Sequence, residues 1–303
     1  MHLRDRLARI DIHGAPYLFI APFFLLFGIF GLFPLGYTLW VSLHDWTLLG
    51  GNEGWVGFGN YTELFSDDYF WNSLLNTFAI FLIATIPQML VALGLAQVLN
   101  ASLRAITFWR VGVIIPTATS VAAVGIIFTM AFSRDFGIVN WMIGLVGVDP
   151  IAWNQERIPS WIAIATMVDW RWTGYNALIL LAALQAVPKD LYESARLDGA
   201  SAARQFWSIT IPMLRPTLMF VVTVSTIGGI QLFTEPLLFN PGANAITGGD
   251  MRQFQTSAMY VVEQAFTGQR FGYAATVAWV LFAVIVLVSL VNSLLVRRIR
   301  SAD

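Results

Sequence analysis

The chain has 303 residues, 57% of them hydrophobic and only 12% charged, with a formal net charge of −1 and a mean hydropathy of +0.68. Soluble proteins carry roughly 25% charged residues, so this composition excludes an ordinary soluble enzyme and points to a chain organised in membrane spans. The charge balance offers no basic surface to nucleic acid, the absence of cysteine removes disulfides and thiolate sites, and His2, His13 and His44 do not stand at metal-ligand spacing.

The N-terminal segment 1–13 sets Leu3, Leu7 and Ile10 at helical spacing with Arg4, Arg6 and Arg9 between them. That pattern predicts a short amphipathic helix on the cytoplasmic membrane surface. A spanning helix needs about 20 mostly apolar residues. Six segments of the region 14–303 meet this, at roughly 17–43, 72–99, 111–132, 160–186, 217–239 and 272–296. The first is too long for a signal-peptide core of about 7–15 residues and is read as retained. Pro22, Pro34, Pro87 and Pro116 fall inside spans, where neighbouring groups re-satisfy the freed carbonyls. The expected fold is therefore an all-α membrane protein of six transmembrane helices.

Arginine and lysine placement sets orientation. With a cytoplasmic N-terminus, the inner segments hold Arg4, Arg6, Arg9, Arg104, Arg110, Lys189, Arg196, Arg204, Arg215, Arg297, Arg298 and Arg300. The outer segments hold only Arg134, Arg157, Arg252 and Arg270. Both termini are thus expected in the cytoplasm. The outer segment 44–71 has five carboxylates and no arginine or lysine, and 240–271 is rich in Gly, Asn and Gln; both are long enough to meet an external partner.

The fourth span, "WIAIATMVDWRWTGYNALILLAALQ", carries Asp169 and Arg171. Two residues apart on a helix, they face nearly opposite ways and each needs a partner elsewhere. Thr166, Asp169, Trp172, Thr173 and Asn176 follow helical spacing as one polar stripe, and the fifth span adds Gln231 and Glu235 one turn apart near its outer end. Ionisable residues inside spans suggest a transport pathway. Structural pairing between helices explains them equally well. Trp153, Trp161 and Trp279 read as belt or packing residues.

The segment 187–216 interrupts the apolar pattern on the cytoplasmic side. Asp190 is placed to cap a helix with Glu193 three residues later, and Asp198-Gly199 to stop it. Ser201 is placed to cap a second short helix, and Pro212 and Pro216 to break the chain before the next span. No Gly-x-x-x-x-Gly-Lys phosphate loop exists, since the single lysine, Lys189, lies between Pro188 and Asp190.

"YESARLDGASAARQFWSITIP" resembles the "EAA" loop of permease subunits of binding-protein-dependent ABC importers, matching at Glu193, Ala195, Gly199, Ile209 and Pro212 with full spacing. It departs at Ser194, where alanine is usual, and at Ile211, where leucine is usual. "LQAVPKDLYESARLDGAS", "YVVEQAF" at 260–266 and "FGYAAT" at 271–276 resemble the maltose-type sugar branch, and "NAITGGD" at 244–250 loosely resembles its glycine-rich outer loop. "FTEPLLF" at 233–239 looks most like actinobacterial permeases for β-linked disaccharides such as cellobiose.

The resemblance implies a bacterial cytoplasmic-membrane permease that imports a sugar. It implies a second, similar permease, two copies of a P-loop ATPase holding ATP and Mg, and an extracytoplasmic sugar-binding protein. The chain itself would bind no cofactor or metal and catalyse no reaction. Glu193, Ser194, Ala195, Gly199, Ile209 and Pro212 would form the ATPase-coupling loop. Asp169, Trp172, Thr173, Asn176, Gln231 and Glu235 would line the sugar pathway, with polar groups for hydroxyls and a ring face for the pyranose. The rival readings are an ATP-independent carrier, with Asp169 and Glu235 as proton sites, and a membrane enzyme acting on sugar lipids. Both leave the cytoplasmic loop without a use.

Overall fold

The computed structural model describes residues 17–101, 104–242 and 244–300. The expected surface helix at 1–13 lies outside them. The chain divides into two compact units.

The first unit takes in residues up to Leu64 together with Gln264–Trp279. Its helix α1, Tyr17–Ser42, is apolar around its whole circumference and has no buried residue before Val41. Such a helix is stable only where lipid or another chain covers it. At Gly28–Leu32 the helix widens by one residue per turn, with the Phe33 N–H donating to the Gly28 carbonyl. The widened turn sits just before Pro34, whose ring would clash with the carbonyl four residues back. A β-hairpin follows, β1 His44–Thr47 against β2 Gly51–Trp55, then α2, Gly59–Phe65. The Asn60 amide donates to the carbonyls of Ser42 and His44 at 2.9 and 3.0 Å, which ties α2 to the end of α1. A Cβ at Gly272 would come within 2.1 Å of the His44 carbonyl oxygen, so only glycine allows that approach.

The second unit, Phe65–Glu263 with Val280–Asp303, is a helical bundle built on two long helices. They are α3, Asp68–Asn100, and, after several shorter elements, α7, Arg157–Gln185. Between them run α4, Ile106–Ala118, α5, Val121–Ala131, and α6, Ile138–Gly144. After them come α8, Lys189–Leu197, α9, Ala202–Ile230, α10, Thr234–Phe239, and α11, Ser257–Val262. The last helix, α12, runs Phe271–Arg300. Ala92 and Ala96 of α3 pack with Ala177, Leu180 and Leu184 of α7 and with Leu214 and Val221 of α9. Small side chains let the backbones close up, the usual means of association where lipid removes the hydrophobic drive. A second cluster sets Ile80, Phe132, Trp153, Ile164, Phe239 and Phe254 together. Trp153 donates to Asn140 Oδ1 at 2.8 Å, and Trp161 to Asn76 Oδ1 at 3.2 Å. Both are packing residues, as expected.

The span pattern departs from the sequence reading. Among the described residues four unbroken helices are long and apolar enough to cross a membrane: Tyr17–Ser42, Asp68–Asn100, Ala202–Ile230 and Phe271–Asn292. The expected span 111–132 is instead α4 and α5, bent by 91° at Thr119-Ser120, and counts as a fifth only if the pair is one crossing. The expected span 160–186 is α7, 29 residues long, whose mid-helix polar residues keep it out of that apolar set. The expected fifth span, 217–239, starts at Ala202 and stops at Ile230. Pro212 and Pro216 do not break it. A widened turn at Phe206–Thr210, closed by the Ile211 N–H on the Phe206 carbonyl, precedes Pro212 and absorbs its clash, as the turn before Pro34 does in α1.

In the second unit, Arg252 has φ +52, a left-handed conformation uncommon for a side-chain-bearing residue. Its carbonyl accepts from the amides of Asn72 and Asn76, both at 2.9 Å, and its guanidinium clasps both oxygens of Glu263 at 2.6 Å. Hydrogen bonding to Glu263 holds that guanidinium more firmly protonated than a free arginine. The loop before α11 is thereby fixed to the start of α3.

Candidate functional site: a polar turn and a membrane cavity

The turn at 187–216 is a helix–turn–helix. Pro188, not Asp190, occupies the position before α8; Asp190 stands in the first turn, where its charge favours the helix dipole, and no side-chain cap forms. The proline at 188 moves the helix start forward by two residues relative to the expected cap. At the other end the Ala200 N–H donates to the Ala195 carbonyl at 2.8 Å and the Gly199 N–H to the Arg196 carbonyl at 3.1 Å. With Gly199 at φ +76 this is the paired C-terminal motif that glycine makes without strain. Ser201 caps α9, accepting from the Arg204 N–H at 3.3 Å, as expected. The Tyr192 hydroxyl meets Thr210 Oγ1 at 2.9 Å and holds α8 against the widened turn of α9.

Glu193, Ser194 and Gly199 are exposed, whereas Ala195, Ile209 and Pro212 are half-buried beneath them. Leu197 is 90% exposed and Trp207 68%, so a polar turn presents large apolar side chains outward. A Cβ on Gly199 would meet nothing within 4 Å. Nothing in the surrounding chain requires that space to be empty.

In the bundle, α3, α7 and α9 enclose a cavity of about 340 Å³, closed at one side by the segment Gln231–Glu235. The segment exists because α9 ends at Gly228-Gly229-Ile230. Gly229 lies against the ring of Phe81, where a Cβ would come within 2.5 Å. The freed Leu232 carbonyl accepts from the Thr256 hydroxyl at 2.6 Å, which is how non-helical backbone is tolerated at membrane depth. Gln231 and Glu235 are therefore not one turn apart on a span. Gln231 terminates α9, and Glu235 stands with Pro236 in the first turn of the separate helix α10.

The α7 wall of the cavity is Val168, Arg171, Trp172, Tyr175 and Asn176, a helical face one residue's rotation from the expected stripe. Trp172 and Asn176 belong to both. Gln231 and Glu235 also line the cavity; Asp169 and Thr173 do not. Thr166 is exposed and bonds its own helix, to the Ile162 carbonyl at 2.8 Å. Asp169 stands behind Gln88, whose amide approaches it at 3.5 Å. Gln88 Oε1 accepts from the Asn176 amide at 2.9 Å, and that amide also reaches Ser225 Oγ at 3.4 Å. Arg171 pairs directly with Glu235 at the cavity wall and stacks 5.6 Å over Trp172. Both expected needs for partners are met, Asp169 by Gln88 and Arg171 by Glu235. Sequence reasoning missed Gln88 and Tyr175. Gln88 had a usable signal, being a polar side chain mid-span beside Pro87.

Such a cavity, near the lower end of the roughly 300–1,000 Å³ usual for small-molecule sites, offers amides, hydroxyls and aromatic faces together. The described residues contain no cluster of His, Cys, Asp and Glu able to hold a metal ion.

Comparison with known proteins adds three findings. The family described as "Binding-protein-dependent transport system inner membrane component" matches residues 88–301. The lactose transport system permease protein LacF of Rhizobium radiobacter is 37% identical over 285 residues, 92% of this chain and 92% of that one. The arabinooligosaccharides transport system permease protein AraP of Bacillus subtilis is 35% identical over 288 residues, 92% of this chain and 87% of that one. In fold, the chain is similar to a chain of a bacterial ABC transporter involved in the import of the acidic polysaccharide alginate, with TM-score 0.79, 19% identity and coverage of 97% and 99%.

Proposed function

The chain belongs to the family of binding-protein-dependent transport system inner membrane components, and from that premise we propose how it works. It is a multi-pass permease subunit of a sugar ABC importer, a transporter component and not an enzyme, and it serves a binding protein. Our reading goes further in four respects. The cargo is an oligosaccharide, with a β-linked disaccharide preferred. The chain crosses the membrane six times, the α4–α5 pair and α7 each counting as one crossing, with both termini cytoplasmic. It pairs with a second permease and with two copies of an ATPase that carry the ATP and Mg. The turn 187–216 is where that ATPase grips it.

The observation that carries the coupling role is the turn itself. Its glycine-closed helix pair presents Glu193, Leu197 and Trp207 outward, and it is stapled by Tyr192–Thr210 to α9, whose far end closes the cavity. A push on α8 therefore has a continuous helical route to Gln231. In mechanism, ATP binding moves the gripped turn, α9 moves with it, and the cavity changes the side from which it is open. Trp172 and Tyr175 supply ring faces for the sugar, and Asn176, Gln88 and Gln231 supply hydroxyl partners. An ATP-independent carrier would leave this outward-facing turn without a partner.

The test is uptake into proteoliposomes that hold the chain with its co-purifying subunits, with labelled lactose, cellobiose and arabinotriose. Uptake of at least one sugar that needs both ATP and the binding protein is expected. Uptake indifferent to ATP contradicts the reading.

A further inference from the structure

The fold does not choose the charge of the cargo, since a solved transporter of this fold is involved in importing an acidic polysaccharide. Something within the cavity must. Among the described residues, Arg171 and Glu235 are the charged side chains that line it, and they are paired with each other. Their side chains are only 13% and 7% exposed. The guanidinium spends its charge on Glu235, and its Nε is buried without a partner. Behind the wall, Asp169 stands against Gln88 and adds no positive charge.

We propose that Glu235, by neutralising Arg171, keeps the cavity selective for uncharged oligosaccharides and against uronates and phosphorylated sugars. This rests on the sugar-import reading. An anionic sugar that takes Arg171 strands Glu235 as an unpaired buried carboxylate, and one that leaves the pair intact sets its own charge beside that carboxylate. Either course is penalised, which is selection by building in a repulsion. A neutral sugar disturbs neither charge.

Lactitol and lactobionate test this, being open-chain relatives that differ in a carboxylate. The complete complex in proteoliposomes takes up whichever of labelled lactose, cellobiose and arabinotriose the wild type carries. Each competitor is present on both sides of the membrane, and the readout is the ratio of their inhibition constants within each variant. That ratio is independent of how much active complex a variant yields. Competition at the binding protein is common to all variants, so only a change of ratio reports on the cavity.

In the wild type lactobionate is expected to compete at least about tenfold less well than lactitol. Glu235→Gln leaves an unpaired cation and should move the ratio toward lactobionate on the order of 100-fold. The double variant Arg171→Gln/Glu235→Gln, again uncharged, should return to the wild-type preference. A ratio the same in Glu235→Gln as in the wild type overturns the inference while sugar import stands. So does a shift that the double variant keeps. No ATP-driven uptake of any of the three sugars by the wild type contradicts the import reading itself, and the inference falls with it.

Discussion

Gly174 of α7 lies against the carbonyl oxygen of Val113 of α4, so close that a Cβ there would come within 1.8 Å of it. The Thr117 hydroxyl donates to the Arg171 carbonyl at 2.7 Å one turn away. The two helices therefore meet backbone to backbone just below the 91° bend into α5. Gly174→Ala is expected to force them apart, at a cost of about 2 kcal/mol or more. Thermal unfolding in detergent should show an earlier transition and a lower yield of folded protein. A variant as stable as the wild type would mean the helices can part freely.

Trp172 lines the cavity and Thr166 does not. Trp172→Ala should lower sugar uptake by about tenfold, the loss expected when a stacked ring face is removed, with the amount of assembled complex unchanged. Thr166→Ala should leave uptake as it was. Asp169→Asn should cost less than Trp172→Ala, because Asp169 reaches the cavity only through Gln88. Initial uptake rates normalised to purified complex measure all three. A larger loss at Asp169 than at Trp172 would restore the stripe expected from the sequence.

The Arg252–Glu263 clasp holds a backbone that is strained at φ +52. Replacing Glu263 with Gln removes charge-assisted bonds to Arg252 and should weaken the loop by about 2 kcal/mol. Limited trypsin digestion should then cut after Arg252 in the variant well before it does in the wild type. Equal digestion rates would show that the Asn72 and Asn76 amides hold the loop by themselves.

The helices with uninterrupted apolar runs were legible from the sequence, and so was the Gly199 stop, because a left-handed position after an amphipathic run leaves a local signature. Ser201 as a cap was legible for the same reason. The prolines misled. Pro212 and Pro216 looked like breaks, but a widened turn needs only one extra residue ahead of the ring, which no local pattern announces. The break at Gln231–Phe233 was hidden because it depends on Phe81 meeting Gly229 and on Thr256 reaching the Leu232 carbonyl, both distant in sequence. The cavity was read one residue out of phase. A polar stripe marks a face only to within about 100° per residue, and it was the partner of Arg171, on a segment expected to be helix, that fixed the rotation.

The central claim is that the turn 187–216 transmits ATP hydrolysis on another subunit to the cavity. It is tested most directly by measuring uptake and ATP hydrolysis side by side for Gly199→Val in the purified complex. Within the chain a Cβ at Gly199 meets nothing within 4 Å, and the left-handed backbone alone costs about 1 kcal/mol. The folded variant should therefore stay in the membrane. If the turn is gripped by an ATPase, uptake should collapse while the bundle remains folded, with hydrolysis either lost or running without transport. Wild-type uptake, still coupled to ATP, would contradict the coupling role of the turn.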